Sequence, residues 1–573
     1  MREIGYDNYT EYMIEGILLR VSRYLNEIKT EYILAEKILC SLNAERAELL
    51  LNDVPRQSFV NQNDMCVIRK GGYVVLDFGC ELHGGAEITV HRCEGGFLRT
   101  VFGESVSEAM SQIGENHATN DHSPRDIKVY APEYSNIRVG RTGFRFLKLE
   151  AVWGDVCIRG IKAAYEHRDI PCRGKFESDD KQLNNIWKIG ARTVFLNMQE
   201  YLWDGIKRDR LIWAGDMHAE VSCINAVFGE QKVVRDSLDF LCDTTSPDMW
   251  MNGIPSYTFW WLIIERDMYV YSGNASELIK KKKYICTAVK NIIKNLHMDK
   301  KEGFSGIDSD CDKRSTGKIK KYFVDWETNG KPESETGFYA LLCMGLSAAE
   351  TICSVLGENA LASSCADGAF KIRQMNADMT ENKQIAALLA LSGLKDAKEI
   401  NEKVLKKEPQ EDISAFLGYY TLLARGMAGD TDGALYIAKK YWGAMVNLGA
   451  TSFWEYFNIR EAENAAPIDR MPRPGEKDIH GGGGSFCYCG LRRSLCHGWA
   501  CGPTPFLSTC VLGVKPLKPG FKEVLIKPSF GSLKYVRGIY PTPLGDIVIE
   551  AENKNGDIKT DIKAPDKIKI ISK

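Results

Sequence analysis

The sequence predicts a mainly α fold: an (α/α)6 toroid barrel of paired helices, flanked by an N-terminal β-sandwich and a small C-terminal β domain. Three features lead there. The middle of the chain carries roughly twelve successive segments of helical apolar periodicity. The stretches on either side are short β-branched and aromatic runs broken by turn residues. At 573 residues the chain is also too long for one ordinary domain. The expected boundaries are residues 1–172, 173–513 and 514–573.

Between about 55 and 170, runs such as YVVLDFG, GAEITVHR, FRFLKLEAVW and CIRGIKAAYEH are separated by Gly, Asn or Asp turns, the spacing of a sandwich. The first 50 residues read equally as helix or strands. From Phe176 the texture changes. DDKQLNNIWKIGARTVFLNM opens a series that runs through ETGFYALLCMGLSAAETICSVLG to PTPFLSTCVLGV, in successive pairs that form six hairpins. A solenoid competes with a closed toroid, but no repeat of fixed length is visible. The last 60 residues return to period-2 strands with Pro and Gly turns, as in KEVLIKPSF and GIYPTPLGDIVIE.

Composition narrows the function. The 74 basic and 76 acidic residues interleave to a net charge of −2, so neither nucleic acid nor a membrane surface is an expected partner. No stretch has about 18 uninterrupted apolar residues. The opening MREIGYDNYTEYMIEGILLR has no apolar signal region, and the 18 cysteines are scattered through apolar patterns. They read as reduced thiols, and the expected location is the cytoplasm. Association into a homo-oligomer is left open.

The richest chemistry lies in Trp203–Glu220. Three Asp, one Glu, two Arg, two Trp and a Lys crowd into that segment. If it is helical from Asp209, then Asp209, Trp213, Asp216 and Glu220 share one face. Three carboxylates and an indole make a poor core stripe but a good sugar pocket: carboxylates grip hydroxyls and move protons, and Trp stacks on the ring. The bland reading, a solvated face with Asp–Arg pairs, fits the two Trp and two Gly less well. A second cluster is Thr451–Phe457, where Glu455 sits among aromatics that include Trp454. Its bland reading is a helix strut with an outward Glu.

DGIKRDRLIWAGD resembles the signature segment of the α-L-rhamnosidases of glycoside hydrolase family 78, whose usual form is D-x-P-x-R-E-R-L-G-W-T-G-D. Asp204, Arg208, Arg210, Leu211, Trp213, Gly215 and Asp216 match. Ile206, Ile212 and Ala214 replace the usual Pro, Gly and Thr, and Asp209 stands where the family has Glu. VLDFGCELHGGAEI, FESDDKQLNNIW, TSFWEYFN and CHGWACGPTPFLSTCVLGVKPLKPGF are similar to family segments in the same order, over roughly residues 70–550.

The resemblance implies removal of a terminal α-L-rhamnosyl residue from a glycoside or oligosaccharide, with inversion and without cofactor or metal. Asp209 would be the general acid and Glu455 the general base. Asp204, Arg208, Trp213, Asp216, Trp454, the loop pair Asp325–Trp326, and His497 would contact the sugar. Asp is one methylene shorter than Glu, so Asp204 or Glu220 stays open as the acid. Two other outcomes also stay open. One is a non-catalytic carbohydrate-binding protein on the same barrel; the other is a six-hairpin glycosidase or phosphorylase for another sugar.

Three further motifs fail on spacing. Asp308, Asp310 and Asp312 open like a calcium loop, but Lys313 and Ile319 occupy the Gly and Glu positions. Cys487, Cys489, Cys496, His497 and Cys501 lack zinc-finger spacing. His480–Ser485 lacks the Gly-Lys of a phosphate loop and reads as a loop at the barrel rim.

Overall fold

The computed structural model describes residues 27–60, 64–299, 303–308, 319–375, 377–554 and 557–572. Most of the first 50 residues, and Asp310 and Asp312, therefore lie outside the described residues. The chain divides into two compact units. One comprises the chain up to Gly103 with Ser123–Pro171 and Met198–Tyr201; the other comprises Glu104–His122, Cys172–Asn197 and Leu202 onward.

The first unit holds β1 (Ile28–Ile33), β2 (Lys37–Glu45), β3 (Cys66–Cys93), β4 (Phe97–Gly103), β5 (Asp126–Tyr130), β6 (Asn136–Glu150) and β7 (Val156–Arg168). They order as β1-β7-β3-β6-β4-β5, with β2 also on β3. This departs from the expected two packed sheets, because hydrogen bonding joins all seven strands into one. The long strands β3 and β6 run through it, with register breaks between Asp77 and Leu82 and between Gly84 and Ala86. Such irregularities let one sheet bend onto itself. The ambiguous stretch at 31–52 is strand followed by a 3-10 turn, Ala47–Leu51.

Besides the short helices Val106–Met110, Ser276–Lys280 and Gly443–Asn447, the described part of the second unit holds α1 (Lys181–Asn197), α2 (Met217–Val227), α3 (Lys232–Thr244), α4 (Pro255–Ser272), α5 (Lys282–Asn295) and α6 (Glu333–Val355). There follow α7 (Asn359–Gln374), α8 (Lys383–Ser392), α9 (Ala397–Ile400), α10 (Gly418–Met427), α11 (Thr431–Ile437) and α12 (Pro503–Phe506). Each coincides with one of the periodic segments. The even-numbered helices touch in succession, α2 to α4, α6, α8, α10 and α12, and α12 returns to α2. Burial follows the same alternation. Ten of eleven residues are buried in α2 and nine of ten in α8, against five of thirteen in α3 and five of sixteen in α7. A helix apolar all round needs neighbours all round, whereas one with a single stripe is satisfied on one side. Helix α6 is also long and apolar enough to cross a membrane, and it is a mostly buried member of the inner succession.

The C-terminal strands do not stand apart from this unit. Strand β8 (Lys175–Ser178), just before α1, pairs antiparallel with β11 (Tyr535–Tyr540). That sheet continues through β12 (Ile547–Lys554) to β13 (Asp557–Lys563). The expected cut at 172/173 falls one residue from the Pro171/Cys172 boundary of the compact units, whereas no unit boundary falls at 513/514 and residues 104–122 belong to the second unit.

Candidate active site

Residues 204–211 form a loop pinched at its neck. Asp204 N–H donates to Leu211 O at 3.0 Å, and Leu211 N–H returns a bond to Asp204 Oδ1 at 2.9 Å. At its tip Asp209 and Arg210 both adopt left-handed backbone, φ 56° and 57°, around an Arg210 N–H to Arg208 O bond of 2.7 Å. Two successive non-glycine residues with positive φ are costly and mark a functional constraint. This corrects the helical face expected from Asp209 to Glu220: the helix begins only at Met217.

The loop delivers Arg208 between two carboxylates. Its Nε lies 3.5 Å from Asp209 Oδ1, and its Nη1 lies 3.1 Å from Glu455 Oε1 and 3.2 Å from Oε2. Glu455 is buried in the segment after α11. Its Oε2 accepts from Ser494 N at 3.0 Å, its own N–H donates to Ser494 O at 3.0 Å, and its carbonyl accepts from Trp499 Nε1 at 2.9 Å.

Asp204 is buried, and its carbonyl accepts from Gly498 N at 2.7 Å and from Asn197 Nδ2 at 3.1 Å. Burial, then the neighbouring Asp209 and Asp216, push its carboxyl well above the usual range. Asp216 lies 3.1 Å from His497 Nε2, and burial raises its carboxyl while the His497 contact pulls it down. Glu220 is fully buried under Gly498, where an added Cβ would stand 1.6 Å from its Oε1. Burial and Asp216 raise it well above a normal carboxyl. Gly215 is required for the same reason, since a Cβ there would meet the Tyr257 ring at 2.4 Å.

Aromatic rings tie the rest together. Trp213 packs edge-on against Tyr257 with centroids at 6.0 Å, Tyr257 meets Phe323 at 6.3 Å, and Phe323 meets Trp326 at 5.4 Å. The two expected stacking indoles, Trp213 and Trp326, therefore close one aromatic string. Asp325 is buried beside it, pushed up to about 6 by burial against the pull of the Ser414 hydroxyl and the Trp326 N–H. Trp454 is fully buried against Phe457, and among the described residues its indole nitrogen has no hydrogen-bond partner. His497 Nδ1 and the Tyr488 hydroxyl are likewise buried without a partner among the described residues. Buried polar atoms are nearly always paired, so unpaired ones gathered among the expected sugar contacts suit a hydroxylated ligand. Tyr456, next in the chain to Glu455, lines a cavity of about 190 Å³ with Glu327, Tyr441, Ser485 and Phe486.

Sequence reasoning missed the contribution of residues 104–122. Lys207 Nζ is buried among Glu104 Oε2 at 3.0 Å, Glu108 Oε1 at 3.1 Å, and the carbonyls of Leu491 and Arg493. Glu104 also accepts from Leu495 N at 2.6 Å and Ser494 Oγ at 3.2 Å, so it braces the segment that grips Glu455. Burial pushes Glu104 up to about 7 against the pull of Lys207. Glu104, Glu108 and His480 are close enough to hold a metal ion. The Lys207 ammonium serves both carboxylates, and Ser105 Oγ bonds His480 Nδ1 at 2.7 Å, so the cluster is already satisfied. The only sequence signal was the placement of Glu104, Ser105 and Glu108 in a Ser-capped turn.

Comparison with known proteins gives this geometry relatives. Residues 171–340 match the bacterial alpha-L-rhamnosidase six-hairpin glycosidase domain, and residues 513–570 match the bacterial alpha-L-rhamnosidase C-terminal domain. Over those segments the chain is similar to the bacterial alpha-L-rhamnosidases. One relative, the alpha-L-rhamnosidase of Alteromonas sp. (strain LOR), is 24% identical over 527 residues, covering 83% of this chain and 53% of the relative. The chain thus spans about half the length of that curated relative. The family 78 rhamnosidase of Bacillus sp. GL1 superposes with a TM-score of 0.71 at 20% identity, over 92% of this chain and 55% of that one. The rhamnose-bound rhamnosidase of Klebsiella oxytoca gives 0.65 at 18% identity, over 86% of this chain and 98% of its own. These likenesses carry the fold. Asp204, Arg208, Asp209, Trp213 and Asp216 all lie within the segment that matches the six-hairpin domain.

Proposed function

We propose that this protein is a glycosidase that removes a terminal α-L-rhamnosyl residue with inversion, on an (α/α)6 toroid of six hairpins. The closed succession of even-numbered helices supports the toroid. One observation carries the mechanism: Asp209 and Glu455 contact two different nitrogens, Nε and Nη1, of one guanidinium, that of Arg208. An inverting glycosidase needs two carboxyls about 6.5–9.5 Å apart, facing one bond with room for water. A shared Arg is a fitting spacer.

Asp209 protonates the glycosidic oxygen as the C–O bond breaks, and Glu455 takes a proton from the water that attacks the anomeric carbon from the other side. Ser494 N–H and Arg208 hold Glu455 as an acceptor. Neutral Asp204 donates to one sugar hydroxyl, while Asp216, steadied by His497, accepts from another. Asp325 lies beside them, and Trp213, Trp326 and Trp454 border the sugar's apolar edge.

The raised carboxyl of Asp204 favours a second reading in which it is the acid. Hydrolysis of p-nitrophenyl α-L-rhamnoside and a panel of aryl glycosides, with Asp209→Asn, Asp204→Asn and Glu455→Gln, separates these cases. The anomer first released is read by proton NMR. Loss in Glu455→Gln, with an Asp209→Asn loss that grows as the leaving group worsens, supports the assignment. The same leaving-group trend in Asp204→Asn alone moves the acid to Asp204. Release from a different glycoside changes the sugar, and rhamnose binding without any release leaves a non-catalytic binding protein.

A further inference from the structure

The Asp209 carboxylate has a neighbour that the mechanism above does not use. His122, at the end of the 104–122 segment, places Nδ1 3.3 Å from Asp209 Oδ1. On its far side Arg492 Nη2 lies 2.8 Å from Nε2, and Asp121 Oδ2 lies 3.2 Å from the same nitrogen while receiving Arg492 Nε at 3.4 Å. A guanidinium only donates and a carboxylate only accepts; the guanidinium makes the shorter contact with Nε2 and also bonds the Asp121 carboxylate, so Nε2 is assigned as the acceptor and the proton of a neutral ring to Nδ1. Burial lowers the His122 pKa, against the pull of Asp209 and Asp121 and together with the push of Arg492 and Arg208. The ring therefore stays neutral around pH 7. Arg492 is itself fixed, with Nη1 bonded to Cys487 O at 3.1 Å, the same carbonyl that Arg208 Nη1 contacts at 3.1 Å.

We propose, on the reading of Asp209 as the acid, that His122 is its positioning residue: Nδ1–H engages Oδ1, which confines the transferable proton to Oδ2. Both His122 and Arg208 address Oδ1. Oδ2 then carries the proton to the glycosidic oxygen, the bonding electrons leave with that oxygen, and His122 keeps its own proton throughout. The short Asp side chain on its left-handed loop is thereby aimed by an outside tether, in place of the extra methylene of Glu.

Two measurements test this. The first is nitrogen-15 NMR of the His122 imidazole in the whole protein near pH 7, where protonated Nδ1 and bare Nε2 are expected. A proton on Nε2 alone overturns the proposal, whether or not any glycoside is cleaved. The second compares His122→Ala and His122→Asn on p-nitrophenyl and methyl α-L-rhamnosides. A nitrophenolate leaves with little help and a methoxide needs the acid, whose contribution is typically about 10²–10⁴-fold. His122→Ala is expected to lower kcat about ten-fold on the methyl glycoside, stay within about two-fold on the aryl one, and be rescued by Asn, whose amide still donates. Equal losses on both substrates, or no loss on either, would overturn it. If the wild-type protein cleaves no rhamnoside, the proposed function fails, and the tautomer alone decides the role of His122.

Discussion

Glu455 and Asp209 contact two nitrogens of one arginine, yet they are held in opposite ways. Glu455 is 4% exposed and fixed by main-chain bonds in both directions to Ser494, with Glu104 and Lys207 bracing that segment from behind. The Asp209 side chain is 21% exposed, on a turn of left-handed residues, touched by Arg208 and His122. The proposed base is thus built into the packed interior, and the proposed acid is carried on a loop tip. A water-activating group gains from being fixed before substrate arrives, since misplacement by about 1 Å can cost about 10²-fold. A proton donor meeting aglycones of different shape tolerates, and uses, a more adjustable mount.

This contrast can be broken at either end. The largest effect is expected for Glu455→Gln, which keeps the shape and the Ser494 contact but removes the base. Turnover should fall by about 10³–10⁴-fold on aryl and alkyl rhamnosides alike, with little change in Tm. Lys207→Met attacks the brace, stranding two buried carboxylates. Breaking such a cluster costs about 3–5 kcal/mol, to be read as a lower denaturation midpoint, with the activity of the folded fraction also reduced.

Asp209→Asn comes third, with a loss of about 10²-fold on an alkyl rhamnoside and about ten-fold or less with a nitrophenolate leaving group. An equal loss on both would show that Asp209 does more than donate a proton. The smallest effect is a pH dependence of stability. Glu104 rises from its usual 4.5 to about 7 on burial. The folded state therefore binds its proton more tightly, and the stability this confers is complete below about 4.5 and lost as pH rises through about 7. Thermal melts should show Tm declining over that interval, with a shallower decline in Glu104→Gln.

The two ends also differ in how well the sequence foretold them. Helical periodicity located the twelve helices because burial on one stripe, or on all faces, leaves a direct imprint on residue choice. Crowding of Asp, Arg and Trp marked the 204–216 loop for a similar reason: that mixture is poor core and poor surface. The helical face drawn from Asp209 failed because left-handed backbone at Asp209 and Arg210 leaves no mark when the residues are not glycine. Glu104 and His122 went unread because their partners, Leu495 and Asp209, lie 391 and 87 positions away, and no local pattern records such pairings. The C-terminal strands were found, but the pairing of β8 with β11 was not, since register across 360 residues has no sequence signature.

The distance from Glu104 to Leu495 also sets an order of events during synthesis. At about 5–20 residues per second, roughly 20–80 s separate the emergence of the two residues from the ribosome. Until then Glu104 lacks its Ser494 and Leu495 donors, Lys207 lacks its Leu491 and Arg493 acceptors, and the segment that grips Glu455 does not yet exist. Competence therefore arrives late and all at once. A chain released early would hold the signature loop complete but have no base with which to use it.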